Sequence, residues 1–250
     1  MPQLLVRNIT PEDALKALQT RLQSPSPEFS WLDLFNQEHS RAFTVAKTAG
    51  HDVLGDIGKS LEEAIRNGET LEMWQRKLIP TLQDKGWWGT GPALDPATGE
   101  MVESRLGSVR RLDIIYDTNM RQSYAAGRWL EIERNKKDVP YLMYKHNFSL
   151  HPRKEHEAWD GTCLPVDDPW WLTHYPPNAW KCHCTVIPVS RTMFDRLDKS
   201  GRIRTQAPNI TWVDFENKRS GEIVRVPKGI DPGFGYNAGV ALLEALKAAA

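Results

Sequence analysis

Apolar residues in the first hundred positions recur every three or four residues, the spacing of an amphipathic helix. Val53, Leu54, Ile57, Leu61, Ala64 and Ile65 make one such stripe, and Asn67-Gly68 ends it. Thr70 caps a second helix, with Trp74 and Leu78 on one face, which Pro80 is expected to interrupt. Nearer the start, Thr10 reads as an N-cap before Pro11, with Glu12 and Asp13 in the first turn. That helix runs through LKALQTRLQ to the breaker Ser24-Pro25-Ser26-Pro27. The segment GWWGTGPALDPATGE, Gly86 to Glu100, is rich in turn formers and reads as an exposed loop. A long helix is expected from about Ser104 to Arg134, its stripe marked by Leu112, Ile115, Met120, Tyr124, Gly127 and Leu130. Asn119, Arg121, Gln122 and Ser123 add a polar patch near its middle.

After Pro140 the pattern changes. YLMYKHN is the first strand signal in the chain, and CTVIPV (184–189) and EIVRV (222–226) are two more. A Gly/Pro-rich connector, GIDPGFGYNAG, leads to the closing helix VALLEALKAAA. No internal repeat is visible. The fold class is α+β: a largely helical N-terminal region followed by a small α+β domain with a short sheet. The expected division is 1–103 helical and suited to docking, 104–190 the motif domain with its long helix, and 191–250 a tail with short strands and a terminal helix.

Composition narrows the function. Lysine plus arginine equals aspartate plus glutamate, 32 each, with a pI near 7.1, so the basic excess of a dedicated nucleic-acid binder is missing. No run approaches the roughly 18 apolar residues of a membrane span. The N-terminus has an acidic pair and no apolar core, unlike a secretion signal. Cysteines number three, and the single residue between Cys182 and Cys184 strains a direct disulfide, so the thiols are expected to be reduced.

Residues 144–188 concentrate the chemistry. They hold all three cysteines, five of seven histidines and four of ten tryptophans. Three readings compete. His156, Cys163, Cys182 and Cys184, with His174 or His183, supply enough donors for a zinc site, although Cys-x-Cys is tighter than a standard knuckle. The plainer alternative is that Cys182 and Cys184 alternate in and out of a strand. Arg153, His156 and Asp160 at i, i+3 and i+7 would share a helix face and could do acid–base work on a phosphodiester. No phosphate loop, nucleophile elbow or His-Glu-x-x-His accompanies them. In the third reading the segment is a self-clasping module. Asp160-Gly161 turns the chain, Pro176-Pro177 stiffens the approach to Cys182, and Trp159, Trp170, Trp171 and Trp180 pack across the loop.

The order of these elements resembles the phage Mu F-like minor head proteins, a head-morphogenesis family. The matching residues are Arg153-x-x-His156-x-x-x-Asp160-Gly161, Asp167-Asp168-Pro169-Trp170, Tyr175-Pro176-Pro177-Asn178 and Cys182-His183-Cys184; the family usually has arginine in place of His183. The resemblance extends over about residues 30–240. It takes in Ala42 to Trp88, Asp117-Thr118-Asn119 with Arg121, and the tail Val226 to Gly233 with Tyr236-Asn237. It implies a non-enzymatic minor head protein of a tailed phage, acting in head morphogenesis and in DNA packaging or ejection at the portal. Implied partners are the portal protein, the major capsid protein and packaged DNA, with no membrane. The implied location is the virion, and the host cytoplasm during assembly. Some relatives carry a toxin or nuclease domain after the tail; with Ala250 about one helix beyond it, this chain is expected to lack one. The organising residues are expected to be Arg153, His156, Asp160, Gly161, Pro176, Pro177, Cys182 and Cys184, without a required cofactor. The readings kept beside this one are a phage-encoded nuclease or ADP-ribosyltransferase-like effector and a zinc-clasped binding module.

Overall fold

The computed structural model describes residues 11–33, 42–147 and 152–248. Thr10, the expected first cap, lies outside them. Helix α1 (Pro11–Leu22) begins where the Pro-Glu-Asp signal places it and buries Ala14, Ala17 and Leu18. Helix α2 (Leu54–Asn67) buries the whole predicted stripe, and its chain turns at Gly68 in the left-handed region. Thr70 caps α3 (Leu71–Asp84) by accepting from the Met73 amide. Pro80 does not interrupt it. The proline lies on the exposed side, and Trp74, Leu78 and Leu82 continue one buried stripe past it. A missing amide costs least where water can satisfy the orphaned carbonyl.

The expected exposed loop is instead a hairpin, β1 (Thr90–Asp95) and β2 (Glu100–Arg105), paired from Thr90↔Arg105 to Asp95↔Glu100. Trp87, just before it, is fully buried and donates its indole N–H to the Lys47 carbonyl. Because β2 takes Ser104 and Arg105, the long helix α4 (Val109–Asn135) starts later than expected, capped by Ser108.

Helix α4 organises the molecule. Leu112 and Ile115 join the core made by α1–α3, whereas Trp129 and Ile132 join the core over the second half of the chain. The polar patch at its middle is largely inside: Arg21 of α1 donates to Asn119 Oδ1 at 3.1 Å and to Ser123 Oγ at 2.9 Å. Two glycines set how closely helices approach α4. A Cβ at Gly127 would sit 2.7 Å from the Ala14 amide nitrogen. One at Gly239, on the closing helix α8 (Ala238–Ala248), would meet Trp129 Cβ at 2.0 Å.

Strand β3 (Tyr141–Lys145) is the centre of a three-stranded antiparallel sheet, between β4 (Cys163–Pro165) and β5 (Thr185–Val189). Leu142 and Tyr144 point into the core and their neighbours are half-buried, the alternation the sequence predicts. Two short helices, α5 (Lys154–Trp159) and α6 (Trp171–His174), fill the stretches between strands. Beyond β5 lie α7 (Arg191–Lys199) and a ribbon of β6 (Trp212–Glu216) and β7 (Ile223–Pro227). The ribbon is anchored by Arg219, whose guanidinium grips Asp95 through two bonds of 2.7 Å and Asp33 through a third of 2.7 Å. Helices and small antiparallel sheets make the fold α+β, and no helix among the described residues is long and apolar enough to cross a membrane.

Candidate functional site

Sequence places Arg153, His156 and Asp160 on one helix face, but only His156 lies inside α5; Arg153 and Asp160 are its two caps. Their side chains diverge. Arg153 donates to the Trp180 carbonyl at 3.0 Å and lies 3.4 Å from the Asp231 carboxylate. Asp231 in turn accepts the Trp180 amide at 3.0 Å. Asp160 accepts the His146 amide at 2.7 Å and the Lys145 ammonium at 3.1 Å. Gly161 turns the chain at φ +79°, donating to the Tyr144 carbonyl, and Arg204 caps the carbonyls of Ala158 and Asp160.

His156 is buried and stacked on Trp159, with ring centres 5.0 Å apart. Its Nε2 lies 2.8 Å from the Gly229 carbonyl, an acceptor, so the proton belongs on Nε2. Nδ1 therefore presents its lone pair to the Sγ atoms of Cys182, at 3.7 Å, and Cys184, at 3.5 Å. Cys182 and Cys184 do not alternate in and out, because residues i and i+2 of an extended chain share one side. Here β5 begins only at Thr185, and Lys181 before the pair has φ +55°; both sulfurs face one ring nitrogen. Cys163, the other candidate ligand, is buried in β4 outside this cluster, and burial pushes its thiol up to about 12. Within the pair Cys182 is the stronger acid, chiefly because the Cys184 thiol hydrogen-bonds its sulfur against the pull of burial. The Cys184 thiol is driven the other way, first by that bond and then by burial.

The rest of the segment is a buried aromatic shell. Trp159 meets Tyr144, Trp170 and His174 edge-on, while His174 stacks on Trp170 with centres 4.5 Å apart. Burial holds the His174 ring neutral, its pKa lowered to about 4. Trp180 behaves differently: it is half-buried and packs on Phe234 and Trp31. Pro176 and Pro177 are buried and joined by a cis peptide bond, and the Tyr175 hydroxyl reaches back to the Ala125 carbonyl of α4. Asn178 is fully buried, accepting from the Tyr144 hydroxyl and donating to the Tyr175 carbonyl. Asn237 caps α8 and donates to the Trp171 carbonyl.

Sequence reading left the structural roles of Asn178, Arg204, Gly229, Asp231 and Asn237 unassigned. Most belong to the motif and tail patterns, so the signal was their position in a recurring order, with no periodicity to reveal a role. Beside the cysteines a cleft of about 310 Å³ opens against α4, with Arg121, Arg128 and Asn147 in its wall. A larger groove, about 640 Å³, runs along the other half of α4; among the described residues no cysteine or histidine lines it.

Residues 55–187 match the family described as Phage Mu protein F like protein. Among relatives, "Putative capsid assembly protein F" of Escherichia phage Mu is 36% identical over 224 residues, covering 85% of this chain and 51% of that protein. The "Mu-like prophage FluMu F protein" of Haemophilus influenzae is 38% identical over 162 residues, covering 65% of this chain and 38% of the relative. The chain thus spans about half the length, or less, of these relatives. No solved structure matches it significantly. With the family match covering more than half its residues, the chain belongs to the Phage Mu F-like family.

Proposed function

We propose that this chain is a minor head protein of a tailed phage that acts in head morphogenesis at the portal, where DNA enters and leaves. The name of the phage Mu relative supports capsid assembly, and the geometry supports a building-block role within it. The observation that carries the reading is how the motif's polar groups are used. Arg153 holds the Trp180 carbonyl, His156 the Gly229 carbonyl, Asp160 the His146 amide and Asp231 the Trp180 amide. Side chains that end on the chain's own backbone lock a shape, as a particle component held by many neighbours requires. The nuclease-like alternative needs Arg153, His156 and Asp160 to converge, and they face three different partners.

The helical N-terminal part then serves for docking, and the tail closes the motif domain by returning Gly229 and Asp231 to it. Co-purification tests this: tagged chain is mixed separately with the portal protein and the major capsid protein of the same phage. Retention of the portal protein at low, defined stoichiometry is expected. Retention of neither would overturn the portal assignment.

A further inference from the structure

We propose that His156 Nδ1 and the sulfurs of Cys182 and Cys184 are three ligands of a site for a borderline-soft divalent cation, Zn²⁺ by the chemistry of the donors. The three donor atoms lie within 4.8 Å of one another. Zn–S bonds of about 2.3 Å and Zn–N bonds of about 2.0–2.1 Å at a tetrahedral angle place sulfur and nitrogen about 3.6 Å apart. The observed separations, 3.5 and 3.7 Å, bracket that edge.

Three further observations point the same way. The Gly229 carbonyl fixes the proton on Nε2, the outer-sphere arrangement that orients a metal-binding imidazole and leaves Nδ1 basic. Two thiols converge on one lone pair, which a single S–H donor would satisfy; an ion uses both. Lys181, next to the pair, is a non-glycine residue at positive φ, and strain of this kind persists where the local geometry is needed. On binding, each thiol releases its proton to solvent and its sulfur donates an electron pair to the cation. The fourth position falls to water or to a group entering the adjoining cleft, whose wall includes both cysteines. Such an ion would pin α5 to the Cys182–Cys184 loop, with the tail behind it through Gly229.

Chain purified without chelators should contain about one zinc per chain by elemental analysis. After chelation, added Co²⁺ should give thiolate charge-transfer absorption and the intense visible bands of a tetrahedral site. Cys184→Ser should weaken metal affinity by at least about tenfold, whereas Cys163→Ser, outside the cluster, should leave it unchanged. If the serine variants do not fold, the cobalt spectrum of the wild type still decides. Cobalt without charge transfer in the wild type, or metal lost on Cys163→Ser but kept on Cys184→Ser, overturns the assignment.

Discussion

Replacing Gly229 by alanine tests whether the tail is pressed against the motif. Gly229 has φ +89°, and a Cβ there would meet Glu155 Cβ at 2.5 Å, Glu155 Cγ at 2.8 Å and the Trp159 ring at 3.0 Å. Two costs follow. Holding alanine at that φ costs about 1–3 kcal/mol. Displacing α5, since Glu155 Cβ is fixed to its helix, adds the usual overpacking cost of about 1–3 kcal/mol. Gly68 separates them: it has φ +63° and nothing within 4 Å of its would-be Cβ, so Gly68→Ala carries the backbone cost alone. Urea unfolding of wild type and both variants should place Gly229→Ala lower than Gly68→Ala by about 1–3 kcal/mol, with the same dependence on denaturant. In a chain of this size each kcal/mol lowers Tm by about 2–4 °C. Equal losses in the two variants would mean that residue 229 does not pack on α5, and the clasp would have to be abandoned.

Other outcomes are as specific. Trp159→Ala, removing a ring that is 7% exposed, should cost about 3–5 kcal/mol, and His156→Ala about 1–3 kcal/mol through the orphaned Gly229 carbonyl; wild-type Tm values in both would contradict the packing. His174 has its pKa lowered to about 4, chiefly by burial, so its contribution is complete above pH 6.5 and is lost as pH falls toward 4. That loss amounts to about 3 kcal/mol, and His174→Gln should flatten that part of a stability-versus-pH curve. DNA binding should be weak, independent of sequence and steeply weakened by salt. Many basic side chains are already paired, Arg134 with Asp13, Lys136 with Asp167 and Lys145 with Asp160. A filter-binding titration that shows tight binding at physiological salt would favour a nucleic-acid enzyme instead.

What the sequence made legible was local. The α2 stripe, the Thr70 cap and the β3 alternation each follow from periodicity or capping within a dozen residues. The β1–β2 hairpin was hidden because Gly91 and Pro92 are poor strand formers and the turn residues around them dominate the pattern. Strand β6 escaped because it is mostly exposed and shows no apolar alternation. In the site, the aromatic shell and the Gly161 turn could be anticipated from residue types. A period of two already puts Cys182 and Cys184 on one side, but their meeting with His156, which lies on another element, could not be anticipated. The bonds from His156 to Gly229 and from Arg153 to Asp231 join residues more than seventy positions apart, and no local pattern encodes them.

The central claim is that this clasped domain is a working part of the phage head. Quantitative mass spectrometry of purified, DNA-filled particles, with the portal protein as internal standard, tests it most directly. The account predicts that the chain co-purifies with mature particles at a low, fixed ratio to the portal and a small fraction of the major capsid protein. Abundance in the lysate with absence from both immature and mature heads would contradict it.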